Sequence, residues 1–196
     1  GLDENKGMTL NSDVYARPLT GALTMGGREF THVAGEQLDG ALADISIVAK
    51  MIEQGTMALP VFGIDSGQFP GSIGLGRIVG PQPVDAPERL ALAVLYVSLL
   101  TVEGIDVLDA DKLVVLDGSF LRDPLFAGLT AALRAQAKTP FNLESYGCAS
   151  GAALLCNHQQ RDKPAQLTLS EPTLPFQIPG LVAYAARWRE AARKPR

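Results

Sequence analysis

The amino-acid sequence predicts an α/β fold in which a mixed sheet is flanked by helices. From residue 87 onward, patterns typical of helices and strands alternate in the order helix, strand, helix, strand, helix, strand, helix. Residues 113–116 are a continuous apolar run, which is typical of a strand covered on both faces. Of the 196 residues, 46% are apolar and 19% are charged, a composition typical of one globular domain.

The N-terminal part of the chain predicts few regular elements. Residues 1–30 are polar and turn-rich, and we interpret them as an irregular entry segment. Over residues 38–54 apolar side chains recur every three or four positions and a glycine follows, which predicts a helix with a glycine C-cap. Residues 55–86 are rich in Gly and Pro and are interpreted as an insertion that has room only for short strands, at 58–62 and 77–79.

A long helix through residues 90–102 has the strongest local signals. Asp85 is a suitable N-cap, Glu88 completes a capping box three residues later, and the following residues are apolar nearly all round the helix axis. The run is shorter than the roughly 20 residues of a membrane span. We therefore predict a central core helix that ends near Gly104, and we expect no membrane partner.

The C-terminal half supplies the remaining helices and strands. After the strand at 113–116, Pro124 begins a predicted helix that runs to residue 135. A short strand, a helix of small residues, a strand-like patch and an amphipathic helix follow, predicted at 141–144, 147–157, 166–169 and 180–192. The amphipathic helix is expected to turn four side chains inward, namely Leu181, Tyr184, Ala185 and Trp188.

Charge, cysteine content and the N-terminus restrict the expected partners and location. The net charge of −4 leaves no basic stripe for a phosphate backbone, so we expect no nucleic-acid partner. Cys148 and Cys156 lack the spacing of a zinc site, so we interpret both as reduced core thiols and expect no metal site. No signal-peptide pattern opens the chain, which favours the cytoplasm, and the start at Gly1 suggests a processed or excised piece.

The turn after residues 113–116 is the first candidate binding element. Gly118 and Ser119 follow the strand directly, and ligands of α/β sheets bind at such strand ends, where glycine lets them approach the backbone. Asp123 can cap the next helix. Taken alone, this segment is better explained by an ordinary strand-to-helix turn.

A run of small residues at 147–153 is the second candidate element. Gly147, Ser150 and Gly151 belong to it and would let a ring or a phosphate approach a helix N-terminus. Tight packing of the helix on the sheet is the alternative explanation. The two turns together bracket one helix and could hold a planar ligand between them, although neither is a P-loop or a dinucleotide-binding fingerprint.

Other chemistry-bearing groups give weaker signals. Glu103 and Asp106 could pair as catalytic carboxylates, but solvated charges at a helix end are the simpler interpretation. His32 has no serine or cysteine partner that the sequence can place, and Asp65 belongs to a loop turn.

These segments together resemble the C-terminal, adenosine-binding half of the FGGY carbohydrate kinases. The resemblance lies in residues 113–120, the helix from Pro124 and residues 146–155, and it extends over about residues 15–192. Residues 25–30 are similar to a feature of the fuculokinase- and rhamnulokinase-like subgroup. The chain departs from the family pattern at Asp117, where many members have Gly, and at Asp123, where Asn is common.

The resemblance implies a ribonuclease H-like domain of the actin type, from a kinase that transfers the ATP γ-phosphate to a carbohydrate hydroxyl. ATP and Mg²⁺ are the implied cofactors of the complete enzyme. Carried over by position, six residues would bind the nucleotide: Gly118, Ser119, Asp123, Gly147, Ser150 and Gly151. The family's N-terminal domain, with its sugar pocket and aspartate base, has no counterpart in this sequence. We therefore expect no catalytic residues here, an inactive isolated chain, and that domain as a partner.

A non-catalytic interaction module is the alternative function. In this hypothesis an actin-like domain has lost nucleotide binding and forms a homodimer through an exposed apolar face, which residues 55–86 would supply. Dimers that do not respond to ADP would distinguish this module from a kinase domain.

Overall fold

A computed structural model describes residues 2–35, 40–65, 67–110, 114–134, 139–140, 147–156 and 172–194 of the chain. These residues form an α/β structure in which strands occur as two-stranded antiparallel ladders and helices supply most of the core. The mixed sheet stays a prediction, because every ladder among the described residues is antiparallel.

A β-hairpin begins the chain where the sequence predicted an irregular segment. After a 3₁₀ turn, strand β1 (Met8–Ser12) pairs antiparallel with strand β2 (Pro18–Ala22). The carboxylate of Asp13 closes the hairpin by accepting the backbone N–H groups of Tyr15 at 2.9 Å and Arg17 at 3.0 Å. The prediction over residues 1–30 was therefore wrong, since side-chain hydrogen bonds rather than apolar alternation define this hairpin.

Helix α1 (Gly26–Ala34) and helix α2 (Ile45–Gln54) follow the hairpin. The carboxylate of Asp44 accepts the N–H of Ser46 at 2.7 Å and so begins α2 seven residues after the predicted start at residue 38. Gly55 ends α2 in the left-handed region with φ 72°, as its C-cap prediction required.

The Gly/Pro-rich segment contains one ladder. Strand β3 (Met57–Leu59) pairs antiparallel with strand β4 (Arg77–Val79), with Met57 opposite Val79. The bounds of β4 are as predicted, whereas β3 stops three residues before the expected end at residue 62.

Helix α3 (Ala86–Val107) lies at the centre of the fold. The carboxylate of Asp85 caps it by accepting the N–H of Glu88 at 2.8 Å, as the capping-box pattern predicts. The helix is long and apolar enough to cross a membrane, but most of it is buried against α1, α2, β3 and helix α4 (Pro124–Leu133). These contacts confirm the predicted core helix.

The segment before α4 differs from its prediction. Val114 and Leu116 are 8% and 6% exposed, whereas Val115 between them is 43% exposed, so the run is not covered on both faces. Leu116 makes only an isolated bridge, and Leu113 lies outside the described residues. A 3₁₀ helix (Ser119–Arg122) then leads to α4, which Asp123 caps through the N–H of Leu125 at 2.9 Å.

The C-terminal described elements are strand β5 (Thr139–Pro140), helix α5 (Gly147–Leu155), strand β6 (Pro172–Thr173) and helix α6 (Leu181–Ala192). The four residues of α6 that were predicted to face inward are all buried. Trp188 donates its indole N–H to the carbonyl of Ala58, and Tyr184 donates its hydroxyl to that of Thr56, both at 2.7 Å. The strands predicted at 141–144 and 166–169 lie outside the described residues.

Leu95→Ala is expected to lower the free energy of unfolding by about 2–5 kcal/mol, because this fully buried α3 side chain would leave a cavity. Val182→Ala on the exposed face of α6 is the control, with an expected change within about 0.5 kcal/mol. Urea unfolding of both variants measures the difference, and equal midpoints would contradict the central position of α3.

Candidate functional site

The first candidate turn has the backbone that only glycine tolerates. Gly118 has φ 108°, is exposed, and donates its N–H to Oδ1 of Asp117 at 2.8 Å. A side chain at this position would be strained, although space is available around it. The turn therefore presents bare backbone to solvent directly before the 3₁₀ helix.

The second turn meets the first at Gly147. A Cβ atom at Gly147, the first residue of α5, would collide with the carboxylate of Asp117. The carboxylate therefore lies directly against the N-terminus of α5, and a side chain at residue 147 would require it to move. The turn at Asp117 and Gly118 thus lies against the start of α5, while one shared binding site at these turns stays a prediction.

One helical turn after Gly147, α5 has an exposed face at Gly151. Gly151 is exposed, and no described atom lies within 4 Å of the position that its Cβ would occupy. Among the described residues, no packing contact explains this glycine. The side chain of Ser150 lies outside the described part of the chain.

Asp123 has a structural role in this arrangement. Its Oδ1 accepts the N–H of Leu125, which caps α4, and its Oδ2 accepts the N–H of Ala43 at 2.8 Å. Two backbone N–H groups thus stabilise the negative charge of Asp123. One belongs to the first turn of α4 and the other to a segment 80 positions earlier in the chain.

A cavity of about 540 Å³ adjoins the first turn. Its walls are mainly apolar, with Phe120 lying 5.6 Å from Phe30 and 5.3 Å from Phe126 between ring centroids. Small-molecule sites commonly have this volume, with apolar walls and a few polar groups. The polar residues at the cavity are Thr31, Ser119, Arg122 and Asp123. Two of the predicted site residues, Ser119 and Asp123, thus lie here, and Gly118 precedes them.

No pattern in the sequence predicts that the carboxylate of Glu29 is buried. This residue is 3% exposed and accepts three hydrogen bonds, from the Tyr96 hydroxyl at 2.5 Å, Phe62 N at 3.1 Å and Gly63 N at 2.7 Å. These bonds explain why β3 ends early, since the backbone at residues 62–63 pairs with a side chain. Burial, together with the Glu29 carboxylate, raises the pKa of Tyr96.

Glu103 is not the solvated charge that the sequence predicted, whereas Asp106 is exposed at the helix end, as expected. Glu103 is 3% exposed and forms ion pairs with Arg189 and, at 2.8 Å, with Arg193. Asp106 lies 3.2 Å from Arg189 and 3.5 Å from Arg134, and burial raises its pKa. These charges tie the end of α3 to α4 and α6, which is a structural role rather than a catalytic one.

The remaining candidate groups do not form a reactive centre among the described residues. Cys156 is exposed, which corrects its prediction as a core thiol, and the side chain of Cys148 lies outside the description. The ring of His32 stacks on Phe62 at 6.3 Å. Asp65 accepts the N–H of Gly67 at 3.0 Å, which confirms a loop turn. The described part of the chain holds no cluster of three or more His, Cys, Asp or Glu residues suited to a metal ion.

Known proteins share both the sequence pattern and the fold. Residues 1–164 match the family model described as "Carbohydrate kinase FGGY, C-terminal domain". The fold is similar to that of a carbohydrate kinase from Novosphingobium aromaticivorans, with 23% identity, a TM-score of 0.75, and coverage of 97% of this chain and 41% of that one. It is also similar to xylulose kinase from Rhodospirillum rubrum, with 16% identity, a TM-score of 0.59, and coverage of 95% and 41%. This chain thus spans 41% of the length of each kinase, and no curated protein matches its sequence.

Tyr96→Phe is expected to weaken the loss of stability at high pH. Because the native pKa of Tyr96 is raised, the unfolded phenol ionises first, and the free energy of unfolding falls as the pH rises above about 10. One such tyrosine contributes a slope of about 1.4 kcal/mol per pH unit. Urea unfolding between neutral and strongly alkaline pH measures the slope.

Tyr15→Phe, at an exposed residue of the hairpin turn, is the control and is expected to keep the slope of the natural chain. At neutral pH Tyr96→Phe should also cost about 1–3 kcal/mol, because Glu29 loses one donor. Parallel pH profiles for the two variants would contradict the buried phenol.

Proposed function

The chain belongs to the FGGY carbohydrate kinases through their C-terminal domain, and on this premise we propose that it is the ATP-binding half of a sugar kinase. The complete enzyme would transfer the ATP γ-phosphate to a carbohydrate hydroxyl. Because the chain spans 41% of the length of the similar kinases, the sugar pocket and the general base would belong to an N-terminal domain. The chain by itself would be inactive. Residues 25–30 favour the fuculokinase- and rhamnulokinase-like subgroup. The proposed location of the enzyme is the cytoplasm.

The meeting of the turns at Gly118 and Gly147 is the observation that carries this proposal. The exposed backbone of Gly118 lets a ligand approach closely, and the Asp117 carboxylate beside it lies against Gly147, the first residue of α5. The exposed Gly151 extends this surface by one turn of the same helix. Bare backbone around a helix N-terminus suits the polar edge of a nucleoside.

The cavity beside Ser119 gives the nucleobase a place to bind. Its aromatic and aliphatic walls suit a flat, weakly polar ring, and its volume exceeds what a base alone requires. In this arrangement the ribose lies at the turns of Gly118 and Gly147, and the phosphates extend toward the N-terminal domain. Mg²⁺ would be coordinated largely through the nucleotide phosphates, as is usual for this ion.

Millimolar ADP with Mg²⁺ is expected to raise the melting temperature of the chain, because a ligand that binds only the native state stabilises it. Gly151→Leu should abolish the rise, since its side chain would cover the open face of α5. The fold should persist in this variant, because leucine favours a helix and no described atom obstructs it.

Ala186→Leu, which adds the same side chain to an exposed position of α6, is the matched control and should keep the full response. An unchanged melting temperature of the natural chain would overturn the nucleotide site. If sedimentation also showed a dimer, the interaction module would be the better assignment, because four large apolar residues of the 55–86 segment are exposed: Ile64, Ile73, Leu75 and Val84.

A further inference from the structure

We propose that Asp123 is a positioning residue, which holds residues 40–43 in place as one wall of the cavity so that Leu42 lies against the bound ring. The inference rests on the proposed function, because that function supplies the ring, a nucleobase. It also gives a physical reason for an aspartate where asparagine is common in the family.

The carboxylate of Asp123 joins two segments of the chain through its two oxygens. Oδ1 accepts the N–H of Leu125 at 2.9 Å, and Oδ2 accepts the N–H of Ala43 at 2.8 Å. Among the described residues, the second bond is the only hydrogen bond that ties residues 40–43 to another element. The polar anchor of this segment is therefore a single carboxylate oxygen.

An asparagine at position 123 could not make both bonds. A carboxamide has one acceptor oxygen, and its nitrogen carries only donors. One of the two backbone N–H groups would therefore face an NH₂ group. Because asparagine caps a helix about as well as aspartate does, Asp123→Asn is expected to keep the bond to Leu125 at the start of α4 and to lose the bond to Ala43.

The anchored segment is a wall of the cavity. Residues 40–42 line it together with Asp123. The side chain of Leu42 is 61% exposed, whereas Val94 and Val97, which line the same cavity, are buried. A flat ring in the cavity would remove part of the Leu42 side chain from water, which favours binding only if the segment is held beside the ring.

Calorimetric titration of the full chain with ADP and Mg²⁺ tests this role in a double-mutant cycle. Leu42→Ala is expected to weaken ADP binding about ten-fold, because the ring loses its apolar contact. Asp123→Asn should weaken binding about five-fold, because Leu42 is no longer held. The double variant should also bind about ten-fold more weakly than the natural chain, rather than about fifty-fold, since both substitutions remove the same contact.

Two matched variants control for the loss of a cap carboxylate and of a leucine side chain. Asp44→Asn changes the N-cap of α2, and Leu19→Ala removes a side chain of similar exposure from the hairpin. Neither residue lines the cavity, so both variants are expected to bind ADP as the natural chain does.

Amide hydrogen exchange measures the anchor without any nucleotide. The N–H of Ala43 should exchange about ten-fold faster in Asp123→Asn than in the natural chain, because its acceptor is lost. The same N–H should keep its natural exchange rate in Leu42→Ala, which leaves the carboxylate in place.

The other outcomes separate this inference from the proposed function. An unchanged exchange rate of Ala43 in Asp123→Asn would refute the anchor. A fifty-fold loss of affinity in the double variant would mean that the two residues act independently, which overturns the positioning role. If ADP binds the natural chain and both single variants equally well, only this inference fails. If ADP does not bind the natural chain, the proposed function fails and the contact with the ring fails with it.

Discussion

The burial of a helix that is apolar on all sides is the constraint on which the fold depends. Helix α3 exposes almost no side chain between Leu90 and Val102, so other elements must cover it in every direction. Helices α1, α2 and α4 and strand β3 do so. Apolar burial stabilises at roughly 25 cal/mol per Å², and this helix alone contributes many fully buried side chains.

The polar groups on α3 show what such burial demands. The hydroxyl of Tyr96 and the carboxylate of Glu103 leave water with the rest of the helix and therefore require partners. Glu29 on α1 accepts the hydrogen bond of the Tyr96 hydroxyl. Arg189 on α6 and Arg193 at its C-cap form ion pairs with Glu103. These pairings fix the positions of α1 and α6 relative to α3. Apolar packing is not directional, so by itself it would allow the helices to shift along one another.

The candidate site lies at the edge of the same core, and its segments are held by contacts with core helices. Helix α4 packs on α3, and its N-cap Asp123 also accepts the N–H of Ala43, so the segment between Gly118 and α4 is anchored at its α4 end. The cavity lies between α1, α3 and this segment. A rigid core thus presents two glycine turns and a pocket at its edge. In the proposed kinase this half would position the nucleotide, while the phosphoryl acceptor would come from the other half, since phosphoryl transfer is mainly a matter of positioning.

What the sequence determined by itself is local. The N-cap at Asp85, the C-cap at Gly55, helix α5 and the inward face of α6 agree with prediction, because caps and helical periodicity involve residues within a few positions. The pairing of both candidate turns was also predictable as a hypothesis, because their order along an α/β chain implies it.

Only the tertiary structure decided the roles of the charged residues. Glu29 and Tyr96 are 67 positions apart, and Glu103 and Arg189 are 86 apart, so no sequence window contains both partners. The contact of Asp117 with Gly147 is a further case, since the two residues are distant in sequence and only the fold places them side by side. The physical reason is that a charge is stable in the interior only beside its partners, and folding, rather than sequence neighbourhood, supplies them.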